Sequence, residues 1–235
     1  EHGHWLAETG ARLGIDREEL EEALQEALAA QKRFTDGCLT AGARILHDLQ
    51  RHNRRGAVLL GRPYNTSDRQ INLNLARKLQ ALDITPLPYD FLPPEAEPLP
   101  ELWSRIRWGY GRRLVQAARA MKTHPFLGAV VVSNFGCGPD GFIDQYLEHE
   151  LRELPYIVLE FDDHQAEAGL LTRLEAFARG LATATTAQRQ PITVTGRDPG
   201  KPRRPLREYT YYVPAFMDDS HALTGALKAS GCKAV

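Results

Sequence analysis

Apolar positions along the chain follow two different periods, and the change between them organises the molecule. In the first fifty residues they recur every three to four positions. Leu20, Leu24, Ala27 and Leu28, behind Asp16 and Glu19 at capping-box spacing, predict a helix over 16–31. Leu39, Ala43, Leu46 and Leu49 predict a second over 36–52, and the basic RHNRRG at its exit suits the negative end of a helix. From residue 57 the apolar runs become short and continuous: AVLLG (57–61), ITPLPYD (84–90), GAVVVSNF (128–135) and YIVLEFD (156–162). Between and after them, amphipathic stretches predict helices over 68–82, 101–123, 140–153 and 169–183. The first places Ile71, Leu75, Leu79 and Leu82 toward the sheet, with Asp68 as its cap. Apolar strands alternating with helices require a parallel sheet covered on both faces, so the expected class is α/β with an open, doubly wound sheet.

Punctuation divides the chain further. FLPPEAEPLP (91–100) is too rich in proline for regular structure, and in the run after it Trp103, Ile106, Tyr110 and Leu114 have the spacing of helix-packing residues. The stretch 186–206 is rich in Pro, Gly and basic residues and reads as a solvated excursion. EYTYYVP (208–214) predicts a strand, a helix follows over 219–230 with Gly231 as its cap, and CKAV starts another strand. The expected organisation is a helical segment over 1–55, a parallel α/β domain over 56–186, a linker over 187–207 and the first β–α step of a second unit over 208–235. This pattern is what a piece of a longer polypeptide presents.

Composition narrows the class. The 235 residues, 43% of them hydrophobic, suffice for a genuine core, and 29 basic against 30 acidic residues leave no electrostatic reason to expect nucleic acid or an anionic membrane as partner. No apolar run is long enough to span a bilayer, and the first residues lack a signal pattern, so a cytoplasmic protein is expected. Three scattered cysteines, Cys38, Cys137 and Cys232, argue against a disulfide scaffold and leave packing thiols, a metal or cluster ligand, or a redox thiol.

In such a sheet, ligands sit at the carboxyl ends of the strands. Three of the four exits are unusually polar: GRPYNTSD, NFGCGPDGF and EFDDHQAEAG. Cys137 between two glycines is either a small residue in a tight turn or a thiolate favoured by backbone N–H groups, with Asp140 adding charge at the following helix start. Arg62 is either an anion grip, with Tyr64 and Asn65 orienting a polar group, or the partner of an acid such as Asp90, Asp140 or Asp162. Asp162, Asp163 and His164 with Glu167 have the types for a cation, or for a solvated turn and cap, and Arg173 pairs with a nearby acid or reaches a ligand. Cys137 with His164 and Asp162 would supply the residue types of thiol acyl chemistry. Neither a dinucleotide fingerprint nor a P-loop is present, and no nucleophile elbow is visible.

Taken together, GRPYNTSD, SNFGCGPDGF and DDHQAEAGLLTRLEAF resemble the C-terminal dehydratase-like region of the large proteins related to the activator of 2-hydroxyacyl-CoA dehydratases, whose relatives include 2-hydroxyglutaryl-CoA dehydratase and benzoyl-CoA reductase. The resemblance implies flavodoxin/Rossmann-like α/β units that share an iron–sulfur cluster of the 4Fe–4S kind, an ATPase activator-type module delivering low-potential electrons, and an acyl-CoA substrate. It makes Cys137 the expected cluster ligand and places Arg62, Tyr64, Asn65, Asp140, Asp162, His164 and Arg173 in substrate or partner loops. The missing domains of the same polypeptide would supply the other ligands, so this chain by itself is expected to be inactive. The alternative is a non-catalytic binding or assembly module in which Cys137 is structural.

Overall fold

The computed structural model describes residues 2–93, 103, 106–134, 138–161, 167–184, 208, 210–211 and 219–234, without the side chains of 2–5, 7, 167, 219–223 and 234. The chain forms two compact units, 1–189 and 190–235.

Two helices open the first unit, α1 (His2–Leu13) and α2 (Arg17–Arg51). Asp16 caps α2 by accepting a hydrogen bond from the Glu19 backbone N–H at 3.0 Å, as the capping-box spacing implies. The expected break between 31 and 36 does not occur. Asp36, read as the start of a second helix, instead accepts an ion-paired hydrogen bond from Lys32 one turn earlier at 2.6 Å, and Thr35 returns its hydroxyl to the Gln31 carbonyl. With no proline in this stretch, α2 continues for 35 residues. Only Cys38, Gly42, Leu46 and Leu49 in its second half are buried.

Four strands follow: β1 (Arg55–Gly61), β2 (Ile84–Pro88), β3 (Leu127–Ser133) and β4 (Tyr156–Glu160). They form one parallel sheet of order β2-β1-β3-β4. The interspersed helices are α3 (Pro63–Ser67), α4 (Leu75–Ala81), α5 (Gly109–Ala120), α6 (Pro139–Leu151) and α7 (Glu167–Thr183). Strand alternation sorts the core into two layers. Val58, Leu60, Ala129 and Val131 join a layer with residues of α2, α5 and α6. Ala57, Leu59, Val130 and Val132 join the other, with Leu75 and Leu79 of α4 and Leu174 and Phe177 of α7. Leu60, Leu75, Leu79 and Leu87 are 0% exposed, each burial stabilising by about 2 kcal/mol. This is a flavodoxin/Rossmann-like open α/β fold. The β1-to-β2 step runs by α4 on one face and the later steps run by α5 and α6 on the other, as a constant hand of crossover requires when the order reverses.

Several elements differ in extent from the sequence expectation. The helix expected over 68–82 winds only from Leu75, leaving Ile71 40% exposed rather than against the sheet. The strand expected over 84–90 ends at Pro88 and turns into a 3-10 turn, Tyr89–Phe91. That turn lies under α2 at Gly42, where a Cβ would stand 1.9 Å from the Phe91 carbonyl oxygen. The helix expected over 101–123 is described as α5 and a 3-10 turn over Met121–Thr123. Trp103, Ile106 and Leu114 are buried in the α5/α6 layer, as packing residues.

In the second unit, β5 (Thr210–Tyr211) and β6 (Lys233–Ala234) pair in parallel through α8 (Asp219–Ala229). Gly231 at φ 78° ends α8, with Gly231 N–H bonded to the Lys228 carbonyl and Cys232 N–H to that of Leu227, a Schellman motif. Most of the proline-rich stretch 91–100, the excursion 186–206 and much of 208–214 lie outside the described residues.

Candidate functional site

Because the sheet is parallel, β1, β3 and β4 end on one edge, and the order reverses between β1 and β3. A reversal of this kind leaves a crevice between the first turns of helices that depart to opposite faces. β1 and β3 remain in register to Gly61 and Val132, and a Cβ on Gly61 would lie 2.4 Å from the Val132 carbonyl oxygen. Only glycine permits that approach.

Two of the residues singled out by sequence meet across the crevice. Arg62, directly after β1, donates from Nε to Oδ1 of Asp140 in the first turn of α6 at 2.9 Å. Its Nη1 donates to the Tyr64 hydroxyl at 3.0 Å, while the Tyr110 hydroxyl of α5 donates to the same Asp140 oxygen at 3.1 Å. The guanidinium also lies near both rings, 5.9 Å from the Tyr64 centroid and 5.6 Å from that of Tyr110. The bond to Asp140 raises the Arg62 pKa, and burial together with Asp140 pushes the Tyr110 hydroxyl up. Of the two readings of Arg62, pairing with an acid is realised, with Asp140.

Asn65 of α3 follows in the same turn, its N–H bonded to the Arg62 carbonyl at 2.9 Å. It is 0% exposed, and neither its amide nitrogen nor its amide oxygen has a partner. An unpaired buried amide costs free energy on the order of 1–3 kcal/mol, so such a group calls for an account. Asn134, the residue after β3, has a buried side-chain oxygen without a partner as well. Asn72 holds the loop from the other side, donating from Nδ2 to the carbonyls of Asn65 and Thr66, both at 3.0 Å, and accepting from Leu75 N–H at 3.2 Å.

One turn along α6, burial and the charges of Asp140 and Glu160 push the Asp144 carboxyl up to about 6. Around Arg62 the carboxyls of Asp140, Asp144 and Glu160 outnumber the one cation, so these side chains hold no excess positive charge to attract an anion.

Arg173 sits elsewhere on the sheet: its Nη2 donates to the Val158 carbonyl of β4 at 2.5 Å. Cys137, Asp162 and His164 lie outside the described residues. The chain just before the last two is nonetheless anchored, since Phe161 N–H donates to the Ser133 carbonyl at 2.9 Å. Among the described residues no group of three or more His, Cys, Asp or Glu side chains suits a metal ion, so they do not by themselves fit an iron–sulfur cluster. Cys38 is buried, and burial followed by Asp90 pushes its thiol up, as befits a packing residue.

Sequence reasoning read Tyr110 only as a packing residue, missed Asp144, Asn72 and Asn134, and missed a second buried polar centre. Glu150 of α6, 2% exposed, accepts from Trp103 Nε1 at 2.7 Å and from Lys122 Nζ, with Arg119 at 3.6 Å. Burial raises its pKa, but the bonds from Lys122 and Trp103 and the charges of Lys122 and Arg119 outweigh that and lower it. Only the apolar spacing of Trp103 hinted at this cluster.

A doubly wound sheet with a polar crevice at its reversal defines a class of ligand-binding architecture, not an activity. Residues 2–92 match the family described as CoA enzyme activase uncharacterised domain (DUF2229), a span running from α1 to the 3-10 turn after β2. This is a family-level link to CoA-activase-type proteins. No curated protein and no solved structure matches the chain. Among the described residues no helix is long and apolar enough to cross a membrane.

Proposed function

We propose that this chain is part of a CoA-activase-type protein of the 2-hydroxyacyl-CoA dehydratase kind, in which the carboxyl edge of the sheet serves low-potential electron transfer. In this reading Cys137 contributes one thiolate to an iron–sulfur cluster, other regions of a longer polypeptide contribute the remaining ligands, and an ATP-driven activator module supplies the electrons. The match of residues 2–92 to the CoA enzyme activase uncharacterised domain carries the reading. It is supported by the place of Cys137 in the sequence, between Asn134, the residue after β3, and Asp140 in the first turn of α6, since open α/β sheets bind ligands in the loops that follow their strands. Arg62, Tyr64 and Asp140 then act as a frame that ties the exit of β1 to the first turn of α6.

The test is anaerobic iron and sulfide reconstitution of a chain extended past Val235, read by visible absorption and electron paramagnetic resonance. A cluster signal lost in Cys137→Ser supports the assignment. A signal unchanged by that substitution overturns it. A specific observation also favours an assembly role: Arg62 is already committed to Asp140 and Tyr64, which leaves it a structural brace. In that case no cluster forms, and the same reconstitution returns no absorption.

A further inference from the structure

The geometry points to a two-state lid over the crevice between β1 and β3, formed by residues 62–74 and described here in its closed state. This inference is independent of any role for Cys137.

The helix that the sequence predicts from Asp68 is already begun in the structure and then interrupted. Asp68 accepts from the backbone N–H groups of Gln70 at 2.8 Å and Ile71 at 3.0 Å, the two bonds of an N-cap for a helix starting at residue 69. Asn72 N–H already bonds the Asp68 carbonyl at 3.1 Å, the first bond of that helix. The winding then fails at two residues. Leu73 at φ 50° and Asn74 at φ 57° are consecutive non-glycine residues in the left-handed region. Asn74, the N-cap residue of α4, makes no side-chain cap bond, and the first N–H of α4 goes to Asn72 Oδ1.

The closed state leaves two further defects. Ile71 is 40% exposed although it shares a helical stripe with Leu75 and Leu79, both 0% exposed. Asn65 is fully buried with an unpaired amide, and Asn72 holds the backbone carbonyls of Asn65 and of Thr66 beside it. Turning Leu73 and Asn74 to right-handed values joins Asp68's cap to α4 in one helix and brings Ile71 onto the stripe. Leu75 N–H then bonds the Ile71 carbonyl instead of the carbonyl and Oδ1 of Asn72. Asn72 releases the turn over residues 62–66, and the Asn65 amide becomes available to a ligand in the crevice. The complementary ligand group offers a donor beside an acceptor, as a carboxamide does.

Hydrogen exchange resolved by peptide on the whole chain tests this. Asn74→Ala disfavours the left-handed value and favours helix, so exchange should slow by roughly tenfold over residues 71–76 and quicken by a similar factor at residues 64–66. Asn74→Gly accepts the left-handed value freely and should slow exchange at residues 64–66. Opposite movement of the two stretches in Asn74→Ala supports the lid, and movement of both in the same direction overturns it. If Asn74→Ala loses protection throughout the domain, Asn74→Gly decides: slower exchange at 64–66 supports the lid and unchanged exchange there overturns it.

Discussion

Arg62 and Asp140, 78 positions apart in the chain, are joined by a hydrogen-bonded ion pair of 2.9 Å that ties the exit of β1 to the first turn of α6. Their side chains are 28% and 17% exposed, so water screens the pair only in part. Removing Arg62 also takes a donor from the half-exposed Tyr64 hydroxyl and leaves Asp140 to Tyr110 alone. Arg62→Ala is expected to lower folding stability by about 2 kcal/mol. Urea denaturation of Arg62→Ala, Asp140→Ala and the double variant should show less than the sum of the single losses. Strict additivity would mean that the pair contributes no coupling.

Asp144 predicts an inverse pH dependence. Its carboxyl is raised from 3.8 to about 6, so the folded chain retains a proton over that window which the unfolded chain releases. Stability from this group therefore falls as pH rises from 3.8 to about 6. Asp144→Asn should gain about 1 kcal/mol near neutral pH, after allowance for solvent screening, and nothing in acid. Denaturation midpoints across that range check it; a constant difference between the two proteins contradicts the assignment.

The opposite sign holds at Glu150, whose carboxyl lies below 4.5 when folded. Its contribution is present above the unfolded value and is lost as the pH falls through the lowered one. Glu150→Ala leaves Lys122 and Arg119 facing a buried void, and the expected loss is about 3–4 kcal/mol. Glu150→Gln, which keeps an acceptor for Trp103, should cost less. Indole fluorescence and thermal melting follow the two variants.

Gly42 separates helix propensity from packing. In an isolated helix, Gly→Ala stabilises by about 1 kcal/mol. Here the new methyl meets the Phe91 carbonyl oxygen at 1.9 Å, so either α2 or the 3-10 turn must shift. A net destabilisation of about 2 kcal/mol is expected by chemical denaturation. A stabilised variant would show that the crossing is loose.

The fold was legible because strands buried on both faces write continuous apolar runs, which AVLLG and GAVVV display. The position of the crevice followed from strand-exit chemistry, and Arg62 and Asp140 were both singled out. Their mutual pairing was one of several open choices, because residues 78 apart meet only through sheet order. Local pattern misled at two places. Asp36 looks like a helix start but spends its carboxylate on Lys32 within one unbroken helix. The stretch 68–74 has helical periodicity, but Asn72 bonds to backbone carbonyls across the turn, a choice that periodicity does not encode. Glu150 was missed because a buried acid in a helix looks like any surface acid until its three partners are placed around it.

The two outer strands of the sheet are not equivalent. β2 pairs with β1 along its whole length, so the nitrogens of Pro86 and Pro88, which have no hydrogen to share, must point away from its neighbour. That margin lacks two of the donors that another strand would need, whereas β4 contains no proline and, among the described residues, is met from α7 by the guanidinium of Arg173. The two prolines thus make β2 the poorer of the two margins for pairing with a further strand.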